Sequence, residues 1–381
     1  MQIPHSRIRE LAEVAMGMDG VLKLYFGESN LPTPDYIKRA AQKAMADGFT
    51  FYTENAGLPS LRKALARHYA ERHGVELDAT SEIVVTASGV QALNLGIRCV
   101  LNPGDEALVL TPAWPNGSSN VAMSNGTAIE IPMPLAGDRY TVDFEAMDAA
   151  VTPRTRLLIY TSPSNPLGWV ATLEQQQKLL EFARRHKLWL MADEVYERLN
   201  FTGAKPTTPA PSILKLATRD DAVIVVQSFS KTYCMTGWRL GWIVARKDLV
   251  ARATQLNEFV VSHAPSFTQK AAETALLWGE DTLCQMLVKL KENRDFCMAA
   301  LQKMPGVTVP EPEGAFYLFP KVKGAEDSFA FCKRVLMETQ VGLAPGVAFG
   351  AGGEGSIRIC YAAERPILQE AMARLAMFLK K

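Results

Sequence analysis

From about residue 82 the chain alternates short, largely β-branched apolar runs with longer segments whose apolar positions recur at helical spacing. The runs "EIVVTAS", "EALVLTPAW", "TAIEIPM", "RLLIYTSPS", "KLWLMADE", "AVIVVQS" and "RLGWIVA" read as strands. Most of them lack polar alternation, as strands covered on both faces should. Between them, "GVQALNLGIRCVL" and "TLEQQQKLLEFARRH" predict helices, the second opened by Thr172 as N-cap with Gln175 three residues later. Such βαβ alternation predicts an α/β fold built on a mostly parallel, doubly wound sheet of seven strands covered by helices.

After about residue 280 the pattern changes. A long charged amphipathic segment, "DTLCQMLVKLKENRDFCMAALQKM", precedes short strands and two further helices, "VTVP", "AFYLFP", "DSFAFCKRVLMET", "SIRICYA" and "PILQEAMARLAMFLK". This α+β pattern predicts a smaller second domain, completed by an N-terminal arm with no strand alternation of its own. The expected division is an arm over 1–35, a large domain over 36–285 and a small domain over 286–381. "FTGAKPTTPAPS", Phe201 to Ser212, suits an exposed loop better than a boundary.

Composition narrows the function classes. With 48% hydrophobic and 21% charged residues the chain is globular, and a formal net charge of +1 argues against a general nucleic-acid binder. No apolar run approaches the roughly 18 residues of a membrane helix, and the first residues resemble no signal peptide, so the cytoplasm is the expected compartment. The six cysteines are scattered without CxxC spacing and read as buried free thiols. The five histidines form no HxxxH or HExxH pair, which argues against a metal site.

In a doubly wound sheet, ligands collect at the C-terminal strand ends, and the polar residues there carry the chemistry. Lys231 follows "AVIVVQS" in a hydroxyl-rich turn. To act as a nucleophile it must lose its proton far below its reference pKa of about 10.4, through desolvation or a nearby cation such as Arg239; otherwise it is a solvated loop lysine. Ser88, Gly89 and Val90 open a helix where N–H groups suit a phosphate, or they are only a cap. Asp193 closes the apolar run "LWLMAD", a costly place for a carboxylate unless a cation meets it, and the alternative is a solvated strand-end acid. Asn165 would point from an Asn-Pro turn to the same crevice, or is only a turn residue; Tyr196 offers a phenol, or is an amphipathic surface aromatic; and Trp114 offers a flat face for stacking, or is an ordinary core tryptophan.

Together these strand ends resemble the aspartate-aminotransferase-like class I/II family, fold type I of the pyridoxal 5′-phosphate (PLP) enzymes. The resemblance runs from "FGESNLPTP" through "YTENAGLPSLRKALA", "SNPLG", "ADEVYE" and "SFSKTYCMTGWRLGW" to "PEGAFYLFP", "PGVAFG" and "IRICYA". It implies an aminotransferase that moves an amino group from an L-amino acid to a 2-oxo acid in ping-pong fashion, through a Schiff base of PLP on Lys231. Asp193 would hold the pyridine nitrogen, Asn165 and Tyr196 the ring's 3-oxygen, and Trp114 the ring face. Ser88, Gly89, Val90, Ser228 and Arg239 would cup the phosphate, with Tyr52 reaching in from a neighbouring subunit of a homodimer. Arg358 would grip the substrate α-carboxylate, with Asn165 beside it and Gly27 letting the backbone approach. The segment "GESNLPTP" departs from the family's "GEPDF" type, and no arginine for a distal carboxylate is identified. A lyase on the same scaffold, by C–S β-elimination or cyclopropane formation, shares Lys231, Asp193 and Arg358; a non-catalytic PLP-fold regulator is the third reading.

Overall fold

The computed structural model describes residues 5–380. All seven marked runs join one sheet: β1 Ile83–Thr86, β2 Glu106–Thr111, β3 Thr127–Pro132, β4 Thr155–Thr161, β5 Trp189–Asp193, β6 Val223–Ser228 and β7 Gly241–Ala245. Across the sheet the order is β1-β7-β6-β5-β4-β2-β3, parallel throughout except where β7 pairs antiparallel with β1 and β6.

Successive side chains point to opposite faces, and this sorts each strand between two cores. In β1, Ile83 and Val85 enter one core and Val84 the other; in β6, Val223 and Val225 oppose Ile224 and Val226. Helices Pro59–His73 and Leu173–His186 close the first core through Leu61, Leu65, Leu179 and Phe182. Helices Gly89–Val100 and Lys247–Val260 close the second through Leu95, Ile97, Leu249 and Ala253. Two covered faces explain why the strand runs lack polar alternation, and the edge strand β3, only partly buried, is where polar positions return. The Thr172 cap forms as its spacing predicts: Gln175 N–H donates to Thr172 Oγ1 at 3.2 Å and Thr172 N–H to Gln175 Oε1 at 3.0 Å.

A third core unites the helix Glu280–Leu301, a sheet of Tyr317–Leu318, Ala344–Pro345 and Ile357–Cys360, and helices Ser328–Thr339 and Arg365–Phe378. The arm reaches it with Leu11 and Leu24, and Leu22–Lys23 pairs in parallel with Val341–Gly342, a two-residue strand too short for any alternation to announce. Ile8, Ala12 and Ala15 of the same arm enter the first core, so the arm ties the two bodies together. The cysteines are free, but the expectation that they are buried holds fully only for Cys297, Cys332 and Cys360; Cys99, Cys234 and Cys284 are half-buried. Among the described residues no helix is long and apolar enough to cross a membrane.

Behind β5 lies a buried charged cluster that the histidine spacing does not announce. His68 and His73, from one helix, converge on Glu197, their ring nitrogens and its carboxylate oxygens lying within 4.8 Å of one another. His73 Nε2 meets Glu197 Oε2 at 2.6 Å, and Arg198, also buried, donates to Glu280 at 2.7 Å. Burial alone would lower the pKa of His73, but the Glu197 carboxylate outweighs it and holds the imidazole above its usual range. Burial alone would raise the pKa of Glu197, and the two histidines pull it far below the ordinary value. His73 therefore contributes stability below its reference value of 6.5, lost as pH rises through the raised folded value. Glu197 contributes above its reference 4.5, lost on acidification, so the pair stabilises most between these values. Glu197→Ala should lower the unfolding free energy by about 3–5 kcal/mol near pH 6, because it strands a buried cation. Denaturant titration checks this, and a loss below about 1 kcal/mol would mean that water already screens the cluster.

Candidate active site

Because β1 to β6 are parallel, Thr86, Thr161, Asp193 and Ser228 end on one edge of the sheet. Register pairs Thr161 with Asp193 and Asp193 with Val226, and the antiparallel β7 brings its first residue, Gly241, against Ser228 and Thr86. Lys231 sits in the single helical turn Phe229–Thr232 that leaves β6. It opens on a cavity of about 770 Å³ that Glu28, Ser230, Arg239 and Phe316 also line.

The Lys231 ammonium donates to the Gly27 carbonyl at 2.5 Å and lies 5.6 Å from the Tyr196 ring centre and 5.8 Å from that of Phe316. Burial lowers its pKa from 10.5 to about 8, with Arg358 and Arg239 acting in the same direction and Cys360 and Glu28 against it. The depressed amine that the sequence required is there, but its cause is mainly desolvation, and Arg358 outweighs the expected Arg239. Asp193 is raised to about 6 by burial, against the pull of the Val195 N–H, which donates to it at 3.3 Å, and of the Lys231 charge. A carboxylate held this way gains from a cationic partner placed within reach.

Arg358, whose alternating segment "SIRICYA" has by itself the pattern of an edge or surface strand, is completely buried. Its Nη1 donates to Asn165 Oδ1 at 2.9 Å and its Nη2 to the Tyr25 carbonyl, while Nε has no partner among the described residues. Three aromatic rings surround the guanidinium, with Tyr317 at 4.6 Å, Phe349 at 4.9 Å and Trp114 at 5.8 Å from its carbon. A buried cation without a carboxylate partner is costly unless an anion arrives to meet it. Gly27 lies at the same place: a Cβ there would stand 2.5 Å from Tyr317 Oη, so no larger residue fits without displacing that ring.

The corner expected to take a phosphate is assembled from the strand ends beside Lys231. Ser88 caps the helix Gly89–Val100, accepting from Gln91 N–H at 3.1 Å, with φ at 114°, a region side chains seldom occupy and one that costs of order 1–3 kcal/mol. The first N–H groups of that helix, Gly89 and Val90, have no intrahelical acceptor by position. Ser228 Oγ donates to the Leu240 carbonyl at 3.2 Å and accepts from Ser230 N–H at 3.1 Å. A Cβ on Gly89 would lie 3.1 Å from Ser228 Cβ, and one on Gly241 would lie 2.5 Å from Gly89 N, so glycine at both positions lets the corner close. Arg239 is exposed, with φ at 51°, and donates to the Thr236 carbonyl at 2.7 Å. Two serine hydroxyls, free helix N–H groups and an arginine on one side, and a desolvated amine and acid on the other, suit a phosphate ester that carries a pyridine ring.

One of the expected residues stands apart in the single chain: Tyr52 is 91% exposed, its ring edge-on to that of His263, whereas Val90 keeps its place in the first turn of the Ser88-capped helix with its side chain 46% exposed. Trp114, in contrast, lines a small gap together with Asp193. Residues that spacing missed are Tyr25, whose carbonyl holds Arg358, Glu28, which accepts from Thr236 Oγ1, and Tyr317, whose hydroxyl meets that of Tyr196 at 2.7 Å. Only a main-chain atom serves in Tyr25, and no sequence pattern marks a carbonyl.

Residues 20–375 match the family described as aminotransferase class I and II. The chain is 33% identical to an aspartate aminotransferase of Pyrococcus horikoshii, over 98% of this chain and 94% of that protein. It is 32% identical to aromatic-amino-acid aminotransferase 2 of Thermococcus litoralis, over 99% and 96%. The crystal structure of an aromatic aminotransferase from Pyrococcus horikoshii superposes with a TM-score of 0.90 at 33% identity, covering 98% of each chain. With its strand ends arranged as described and the match running nearly from end to end, the chain belongs to the class I and II aminotransferases and is a PLP-dependent aminotransferase.

Proposed function

We propose that Lys231 carries the covalent attachment and the proton transfers of this reaction. The observation that supports this most is its amine in the cavity that Ser230, Arg239 and Phe316 line, donating to the Gly27 carbonyl at 2.5 Å and lowered to about 8 by burial and by the Arg358 and Arg239 charges. When bound, PLP supplies a carbonyl carbon that takes the amino group and an electron-poor ring that stores the electron pair left at the substrate Cα. Asp193 keeps the pyridine nitrogen protonated, and its desolvated carboxylate is in turn held ionised by that cation. Asn165 and Tyr196 hold the ring oxygen, and Trp114 covers the ring face. Ser88, Gly89, Val90, Ser228 and Arg239 bind the phosphate. Arg358 receives the α-carboxylate of the L-amino acid, with Gly27 beside it, and Asn165 fixes the guanidinium plane. Lys231, its amine freed when the substrate nitrogen takes its place, would take the Cα proton and deliver a proton to the cofactor's carbonyl-derived carbon, water would supply the oxygen of the released 2-oxo acid, and a second 2-oxo acid would let the same residues run the exchange backwards.

The expected test outcome is stoichiometric. PLP-loaded enzyme given one L-amino acid and no oxo acid should release one 2-oxo acid per site and stop. Continuous release of pyruvate and ammonia would make elimination the dominant reaction instead, and no reaction with any donor would leave only a regulator.

We further infer a homodimer in which Tyr52 completes the phosphate site of a neighbouring subunit. Its 91% exposure, together with exposed Phe51 beside it, leaves apolar surface that a partner of the same chain would cover. Sedimentation of the loaded protein as a single chain would remove this reading. A smaller C-terminal body is supported by the third core, but the expected bound between 36–285 and 286–381 falls inside the helix Glu280–Leu301, whose Leu283 already enters that core, and the arm expected over 1–35 contributes to it with Leu11 and Leu24. The six free cysteines support a reducing compartment, the cytoplasm.

A further inference from the structure

Tyr317 is completely buried on the strand Tyr317–Leu318, paired in register with Cys360. It touches three residues that the proposed chemistry uses. Its hydroxyl lies 2.7 Å from that of Tyr196, with the two rings edge-to-face at 5.8 Å and 80°. Its ring is the nearest of the three aromatic faces around the Arg358 guanidinium, at 4.6 Å. Its hydroxyl also fills the space that any Cβ at position 27 would need.

We propose that Tyr317 is a positioning residue whose hydroxyl donates to Tyr196 Oη, leaving the Tyr196 proton to be directed at the cofactor's ring oxygen, while its ring face seats Arg358. This rests on the reading of Tyr196 given above. Two phenols in contact share one hydrogen bond between them, and either can be the donor. An anionic ring oxygen beside Tyr196 decides the direction, because a charge-assisted bond is roughly twice as strong as a neutral one. A hydroxyl that itself accepts a hydrogen bond also becomes a better donor, so the Tyr317 proton strengthens the bond that Tyr196 makes. Burial pushes both phenols above their ordinary pKa, so both keep their protons through the working range. The substrate-carboxylate and ring-oxygen contacts are thus set by one side chain that need touch neither ligand.

The readout is the pH midpoint of the visible absorbance change of the PLP-loaded enzyme, which reports how far the anionic form of the ring oxygen is favoured. A donor to that oxygen lowers the midpoint, and its loss raises it. Tyr196→Phe should raise the midpoint by roughly 1–2 units, the value of one charge-assisted hydrogen bond. Tyr317→Phe, which keeps the ring, should raise it by roughly half a unit. In the double variant Tyr317→Phe should add nothing to Tyr196→Phe. A wild-type midpoint in Tyr317→Phe, or additive shifts in the double variant, would overturn the relay while leaving Tyr196 in place. An unmoved midpoint in Tyr196→Phe would instead overturn the reading of Tyr196 and the relay with it. Should Tyr317→Phe fail to fold, 3-fluorotyrosine at position 317 keeps the shape and donates more strongly, so the midpoint should fall; an unchanged or raised value counts against the relay. The seat for Arg358 separates by kinetics. Tyr317→Phe should leave KM for the amino acid within about twofold, whereas Tyr317→Leu should raise it roughly 5- to 30-fold through loss of the cation–ring contact. An unchanged KM in Tyr317→Leu would remove that half of the proposal.

Discussion

Lys231→Ala should lower transamination by at least about 100- to 10,000-fold, the range of a lost general base, and should let PLP be removed by dialysis. The same variant should melt no lower than the parent apoprotein, since it removes a desolvated amine that has no carboxylate partner among the described residues and donates to the Gly27 carbonyl. Lys231→Arg is the sharper control. It keeps a cation able to donate to that carbonyl, but a guanidinium does not deprotonate in the working pH range, so it should be as inactive as the alanine variant. Because only the unprotonated amine attacks the cofactor's carbonyl, the rate at which apoprotein takes up PLP covalently should rise with pH through about 8. Rapid mixing with PLP across that range measures it. Ordinary turnover in Lys231→Ala, or uptake that does not vary with pH, would assign attachment or its chemistry to another group.

Arg358→Lys should reduce kcat/KM for α-amino acids about 100- to 1,000-fold, equivalent to about 3–4 kcal/mol of transition-state binding. The planar fork is what a carboxylate site here would use: two nitrogens are already engaged by Asn165 and the Tyr25 carbonyl, Nε has no partner among the described residues, and three rings surround the guanidinium. A lysine offers a point charge that cannot keep those contacts and also grip a carboxylate in two places. Amines that lack the α-carboxylate are the control, and their slow reaction should change less than about threefold. Equal losses for both classes would mean that Arg358 supports the site's structure and does not bind substrate.

Much of this site is legible in the sequence, for reasons that differ between residues. Asp193 and Lys231 stand out because each breaks an apolar context at a strand end, where burial makes a charge conspicuous. Thr172 and Gln175 are legible because a capping box is local, complete within four residues. Arg358 is not: in "SIRICYA" it takes the pattern of an edge position, and its burial follows from the Trp114, Tyr317 and Phe349 rings gathered from distant segments. His68 and His73 are five apart on a helix, a spacing that carries no metal or ion-pair signature, and only the return of the chain after β5 brings Glu197 between them. Tyr317 is silent for a similar reason. A buried tyrosine on a short strand looks like core until its hydroxyl is found against another.

One consequence belongs to the reversed strand. Parallel neighbours need a crossover of a dozen or more residues, usually helical, before the chain can pair again, and that length is spent on covering the sheet. Since β7 runs against β6, the chain turns back at the ligand-facing edge itself, and the return over residues 229–240 needs no long helical crossover, although Phe229, Tyr233, Met235 and Leu240 still pack into the first core. Lys231 and Arg239 both fall in that short return, closed at its base by the Ser228–Leu240 hydrogen bond. Lys231, proposed to hold the carbonyl carbon, and Arg239, proposed to hold part of the phosphate, are therefore spaced by one local return of the chain between two neighbouring strands of the same sheet.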